Sequence, residues 1–174
     1  MESSPKQSPE RNDLTGEHRF GDAGQVILAI LFFSIWIIDV FFLQLSTAKN
    51  TFLPWILRTP LGLVLILYGY YLARTGLQIV FKNIREEPVV IREGVFGMVR
   101  HPIYLSELLV YLGLLLIRFS LMAFLIWIVA VGFIVFISRY EEKLLIQRFG
   151  RVYIDYMQEV PMLVPRLFQK REGK

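Results

Sequence analysis

The sequence predicts an all-α, polytopic membrane protein, and three observations carry that expectation. Hydrophobic residues make up 55% of the 174-residue chain, with a mean hydropathy of +0.49, against about 45–50% apolar residues in soluble domains. They are gathered into blocks that begin near Gly24, Pro60, Ile103 and Leu121. Basic residues are sorted between the connections: fifteen of the nineteen lysines and arginines fall in the amino-terminal tail, the 82–102 loop and the carboxy-terminal tail. Four spans put those three segments on one side, and the positive-inside rule makes that side cytoplasmic. A fifth helix is counted if the chain beyond Arg74 or the tail helix dips into the bilayer. The chain divides into a flexible tail, 1–23, and a single membrane domain, 24–174. With no cysteine and only His18 and His101, disulfides, Fe–S clusters and thiolate zinc sites are excluded, and a histidine-rich metal centre is not expected. Neither a metal nor a nucleic acid is an expected partner; the lipid bilayer is.

Residues 1–23 are polar, with Ser, Pro and charges of both signs, too poor in apolar surface to offset ordering entropy. The stretch is too long and acidic for a signal peptide. Gly24 to Leu45 supplies about twenty apolar residues, enough to cross the hydrocarbon core. Asp39 interrupts it near the far exit, where a structural role is the simpler reading of an intramembrane acid. A loop over 45–59 carries Trp55 at headgroup level. The second span runs from Pro60 to Ala73, and Gln78, Lys82 and Arg85 mark an interfacial continuation. Next comes the longest internal polar connection, 82–100, with Pro88-Val89-Val90-Ile91 extended by proline and β-branching, then turns at Gly94 and Gly97. Gly94-x-x-Gly97 lacks the third glycine and the βαβ setting of a dinucleotide fingerprint, so a Rossmann pocket is not supported. Ile103–Ile117 and Leu121–Ile137 form a short helical hairpin over 103–138, turned at Arg118 to Ser120. Its first arm spans only about 22 Å, so it starts within the headgroup zone. From Tyr140 to Met157 apolar residues recur every three or four positions, as in an amphipathic helix on the cytoplasmic face, stopped by Pro161 and Pro165. The last nine residues, Arg166 to Lys174, are basic and suit anionic headgroups.

Two polar segments carry candidate chemistry. In Arg100-His101-Pro102 the proline suits the first helical position, so His101 is near the N-cap. The helix dipole and free amides add to Arg100 in an anion site. Tyr104 and Glu107 follow on the same apolar helix. The second segment, Arg139-Tyr140-Glu141-Glu142-Lys143, places two acids at the exit of the fourth span, and Arg139 can pair with Glu142 three residues on. The hairpin brings both segments to one side. Together they fit a ligand with a carboxylate, a diol, a cation and an aromatic ring.

These blocks carry a resemblance. Arg100-His101-Pro102-x-Tyr104, Gly113 and Glu141-Glu142-x-x-Leu145-x-x-x-Phe149-Gly150-x-x-Tyr153-x-x-Tyr156-x-x-x-Val160-Pro161 resemble the isoprenylcysteine carboxyl methyltransferases and their prokaryotic relatives, with phospholipid methyltransferases further off. The resemblance runs from about Leu61 to Pro165. It implies S-adenosylmethionine as methyl donor, S-adenosylhomocysteine as product and a non-Rossmann pocket on the cytoplasmic membrane face, built from 82–165. Carried over by position, Val89, Val90, Ile91 and Phe96 would line the adenosyl part. His101, Pro102 and Tyr104 would hold the methionine part, and Glu141, with Glu142, polar groups of the cofactor. Arg100, Glu107 and Arg139 are the candidates for the acceptor and its chemistry. Ile137 stands where the prenylcysteine enzymes have an arginine, and Pro88 where they have a polar residue.

The function expected is therefore methyl transfer within the membrane to a small lipophilic or prenylated acceptor, foremost a carboxylate. An ionised carboxylate needs alignment and dryness rather than a base, whereas an amine would need His101 or Glu107 to take its proton. Entry from the bilayer between the second and third spans is a further expectation, drawn from the short third span. The alternatives are a phospholipid or amine N-methyltransferase, and an NADPH-dependent sterol-reductase-like enzyme, whose class carries a similar Arg-x-x-His-Pro-x-Tyr-x-x-Glu arrangement that Glu107 fits but is typically larger. A non-enzymatic membrane protein is the third.

Overall fold

A computed structural model of the chain describes residues 19–45, 54–82 and 89–165, and these residues are helical or coil throughout. The helices are α1 (Arg19–Ile37), α2 (Trp55–Lys82), α3 (Pro102–Ile117), α4 (Leu121–Phe149) and α5 (Arg151–Glu159). Most of the expected flexible tail, 1–18, lies outside the described residues, as do Pro88 and 166–174. Arg19 to Ala23, expected in the tail, already belong to α1. Three segments, Ala23–Leu43, Trp55–Phe81 and Leu121–Phe149, are long and apolar enough to cross a membrane. The fourth apolar helix, α3, has 16 residues and is about 24 Å long.

α1 and α4 run antiparallel. A side chain added at Gly24 would meet the Phe133 ring. At the other end α1 widens into a π-helical turn, Ile38–Leu43, closed by Gln44 at φ 51°. That turn delivers buried Asp39 to Ser120, whose hydroxyl donates to it at 2.5 Å and itself accepts from the Ala123 amide as the α4 N-cap. Asp39 therefore ties α1 to the start of α4. Phe32 stacks on Tyr111 of α3 with ring centroids 4.0 Å apart, and the Trp127 indole donates to the Leu108 carbonyl. These contacts seat α1 and α4 on one side of α3.

The other side of α3 belongs to α2. Gly62, Gly69 and Gly76 recur every seven residues, and all three face α3. Hypothetical Cβ atoms at Gly62 and Gly69 would stand 2.6 Å and 2.9 Å from the Gly113 and Ser106 carbonyl oxygens, and one at Gly76 would stand 3.0 Å from Ile103. The two backbones are in direct contact along a small-residue seam, the usual way for helices to pack tightly where lipid removes the hydrophobic drive. The expected lateral entry between the second and third spans is thus closed: among the described residues, those two helices form the tightest pair.

Two element boundaries also differ from expectation. α2 starts at Trp55, with Pro60 inside it, and runs on to Lys82 as one helix. The expected amphipathic helix over 140–157 is divided: α4 continues through Phe149, and Gly150, at φ 55° and ψ −128°, turns the chain into α5. That backbone region is open to glycine and strained for other residues. α3 starts opposite Gly76, about 9 Å short of the α2 end. The ends of α2 and α4 therefore stand as walls above the first turn of α3.

Candidate active site

Between those walls lies a cavity of about 480 Å³. The first turn of α3 (His101 to Tyr104) forms its floor, and Leu77, Val80 and Phe81 of α2 form one wall. Glu141, Leu145 and Phe149 of α4 form the other. Val89, Val90, Ile91 and Phe96 close it from the connecting loop, with Tyr153 and Tyr156 of α5. Such a volume and mixed lining suit a small-molecule site.

A buried polar network shapes this cavity. The Arg100 guanidinium donates from Nε to Glu142 at 2.7 Å, and from Nη1 to the Met157 carbonyl at 3.0 Å and to that of Val160. The Arg100 and His101 amides donate to the Pro161 and Met162 carbonyls at 2.9 and 3.1 Å. The segment after α5 is thereby clasped to the start of α3. The imidazole of His101 lies between two acids, with Nε2 3.2 Å from Glu142 and Nδ1 3.6 Å from Glu141. It stacks on the Tyr104 ring, which lies parallel to it within 6°, and the Tyr104 hydroxyl donates to Glu141. Tyr156 donates to the Phe96 carbonyl at 2.6 Å, and Arg92 stacks over the Tyr156 ring while reaching the Val152 carbonyl. Burial pushes the Tyr156 hydroxyl up to about 12 despite the pull of Arg100 and Arg92 the other way, and burial raises Tyr153 as well. Both phenols stay neutral donors at physiological pH.

Of the residues singled out from the sequence, Val89, Val90, Ile91, Phe96, Arg100, His101, Pro102, Tyr104 and Glu141 are brought together around this cavity. Glu142 stands behind the lining as the partner of Arg100 and His101. Two candidates stand apart. Glu107 accepts the Tyr111 hydroxyl at 2.5 Å, lower on α3, and is not among the lining residues. Arg139 borders a second, smaller cavity on the outer face of α4. Its expected pairing with Glu142 is not formed, because Glu142 points inward to Arg100.

Reasoning from the sequence missed Gln25 of α1, and gave Phe149, Tyr153 and Tyr156 no role beyond the motif. Gln25 lines the cavity, and its amide nitrogen is enclosed with no hydrogen-bond partner among the described residues. Nothing in the local pattern distinguishes it from a residue at a span entrance. Tyr153 and Tyr156 were visible as an apolar pair three residues apart.

A family model described as phospholipid methyltransferase matches residues 56–152, more than half of the chain. The chain belongs to that family. Its match takes in α2, α3, α4 and the 89–101 loop, and leaves out α1 with Gln25. Among curated proteins, methanethiol S-methyltransferase 2 of Bradyrhizobium diazoefficiens is 38% identical over 76 residues, covering 44% of this chain and 29% of that protein. A methanethiol S-methyltransferase of a Pseudomonas species is 32% identical over 90 residues, 52% of this chain and 34% of the relative. Protein-S-isoprenylcysteine O-methyltransferase B of Arabidopsis thaliana is 31% identical over 119 residues, 60% of this chain and 57% of the relative. The chain thus spans from under a third to just over half the length of these relatives.

Proposed function

We propose that this chain is an S-adenosylmethionine-dependent methyltransferase of the membrane, acting on a lipophilic acceptor, with tails and active site on the cytoplasmic side. One observation carries the reading: the Arg100-to-Tyr104 block and the Glu141 block wall a single cavity and are hydrogen-bonded to each other through Tyr104 and Glu141. Relatives and family model named as methyltransferases support it.

The residues present fit the donor. The apolar strip Val89 to Ile91, with Phe96 and Phe149, suits a flat heterocycle. Glu141 offers a carboxylate to a cationic or hydroxyl group, and the Gln25 amide has hydrogen-bonding capacity left for a bound molecule. The first turn of α3 presents its positive end to an anionic group. When bound, S-adenosylmethionine supplies an electrophilic methyl on a sulfonium, whose departure needs no protonation. The protein's part is alignment and exclusion of water. Tyr104 and His101 hold Glu141 in place, and Arg100 keeps the post-α5 segment over the site. With the α2–α3 seam shut, a lipid-borne acceptor comes in past α1, whose Gln25 lines the cavity.

A carboxylate is the first acceptor class, with Arg100, already bonded to Glu142, and Arg148 as arginines bordering the cavity. A thiol is the second reading, favoured by the two methanethiol S-methyltransferase relatives and by Ile137, which is buried and apolar where the prenylcysteine enzymes have an arginine. The test is transfer from methyl-labelled donor to N-acetyl-S-farnesylcysteine, methanethiol and phosphatidylethanolamine by the purified chain in lipid. Label in the first supports the carboxylate reading, in the second the thiol one, and in the third amine methylation. No transfer to any, with NADPH binding in its place, contradicts the proposal.

A further inference from the structure

A second cavity lies on the side of α4 turned away from the first. Gly132, Val135, Phe136, Arg139, Tyr140 and Lys143 line a hollow of about 330 Å³. The alternate face of the same helix, with Ile134, Ile137, Ser138, Glu141 and Glu142, is buried. On the outward face the chemistry changes abruptly. Leu125, Val129 and Phe136 are exposed, Phe136 by 67%, and nothing approaches within 4 Å of a Cβ placed on Gly132. One turn later stand Arg139 and Lys143, four residues apart and so neighbours on the helix surface. Neither has an ion-pair or hydrogen-bond partner among the described residues.

We propose that this hollow binds an anionic phospholipid, its phosphate held by Arg139 and Lys143 and one acyl chain lying along the notch at Gly132. The occupant follows from charge and continuity. An exposed apolar strip on a membrane helix borders hydrocarbon, and its boundary with two cations that have no partner among the described residues marks headgroup depth. A guanidinium and an ammonium one turn apart suit phosphate oxygens, the first as a fork and the second as a point charge. A free phosphate would satisfy the cations and leave the notch and Phe136 unused. The bound headgroup sits at the depth of Glu141 and Glu142, across α4 from the first cavity, and so anchors the wall that carries those acids.

The test uses the full chain in nanodiscs of equal phosphatidylglycerol and phosphatidylcholine, with lipids retained through a detergent wash counted by mass spectrometry. Phosphatidylglycerol is expected in excess by about fivefold per cation faced. The Arg139→Gln, Lys143→Gln double variant falls to parity, and Arg139→Lys with Lys143→Arg keeps the excess. Gly132→Leu, which fills the notch and spares the cations, lowers retention of both lipids. If the double variant fails to fold, each single glutamine variant gives an intermediate ratio. Equal retention by the wild type, an unchanged ratio in the double variant, or displacement by inorganic phosphate alone overturns the proposal.

Discussion

Arg100 shows how a residue singled out as an anion ligand takes on a different first duty. Its side chain is 9% exposed, and the guanidinium is committed to Glu142 and to the carbonyls of Met157 and Val160. Replacing it with alanine leaves buried Glu142 with the His101 ring as its remaining partner, a change that costs about 3 kcal/mol. A lysine cannot reach Glu142 and both carbonyls with one ammonium group, so Arg100→Lys recovers only part of that loss. Thermal midpoints in detergent should rank wild type above Arg100→Lys above Arg100→Ala. Equal midpoints would remove the clasp from the account. Tyr156 gives the pH dependence of the same region. Its hydroxyl titrates near 10 when free and at about 12 when folded, so the folded state favours the protonated form. The stability contributed is whole below pH 10, falls between pH 10 and 12, and is absent above. Tyr156→Phe should remove that part of the decline in an unfolding series over this range. The sequence points to a structural Asp39 because an acid near a span's exit can reach water, but the side chain is buried and bonded within the protein. Its actual partner, Ser120, was hidden 81 residues away.

At the scale of elements, the α2–α3 seam decides what can pass through the molecule. A leucine at Gly69 must displace the Ser106 carbonyl, which belongs to helical backbone and cannot give way. We expect Gly69→Leu to separate the pair, lower the thermal midpoint by many degrees and expose α3 to protease. Gly132→Ala, with open space around it, should hold or gain stability by about 0.5–1 kcal/mol. Comparable losses at both positions would argue against the seam. The heptad of glycines was present in the sequence, but reading α2 for hydropathy alone gave the opposite inference, an open gap beside a short helix. The apolar runs located the three helices long and apolar enough to cross a membrane and the shorter α3, since hydropathy over twenty residues is a strong constraint. Boundaries were less legible. Pro60, the sixth residue of α2, gives up the bond to the Ile56 carbonyl without ending the helix, and the positive φ of Gly150 separates α4 from α5.

In the molecule as a whole, three long apolar helices surround a shorter one, and the shortfall creates the site. Both sequence blocks were legible because each is local, a helix start and a helix exit, and their convergence followed from a tight hairpin. Gln25, and the outward turn of Arg139 away from Glu142, depended on how α1 and α4 pack, which no local pattern encodes. The central claim is that the two blocks form one donor pocket. It is tested most directly by calorimetric titration of S-adenosylhomocysteine into the purified chain, beside Glu141→Gln and Tyr104→Phe. One site per chain is expected, with affinity reduced at least about tenfold, or roughly 1.4 kcal/mol, in each variant. Absence of binding to the wild type, or equal affinity in all three proteins, would contradict it.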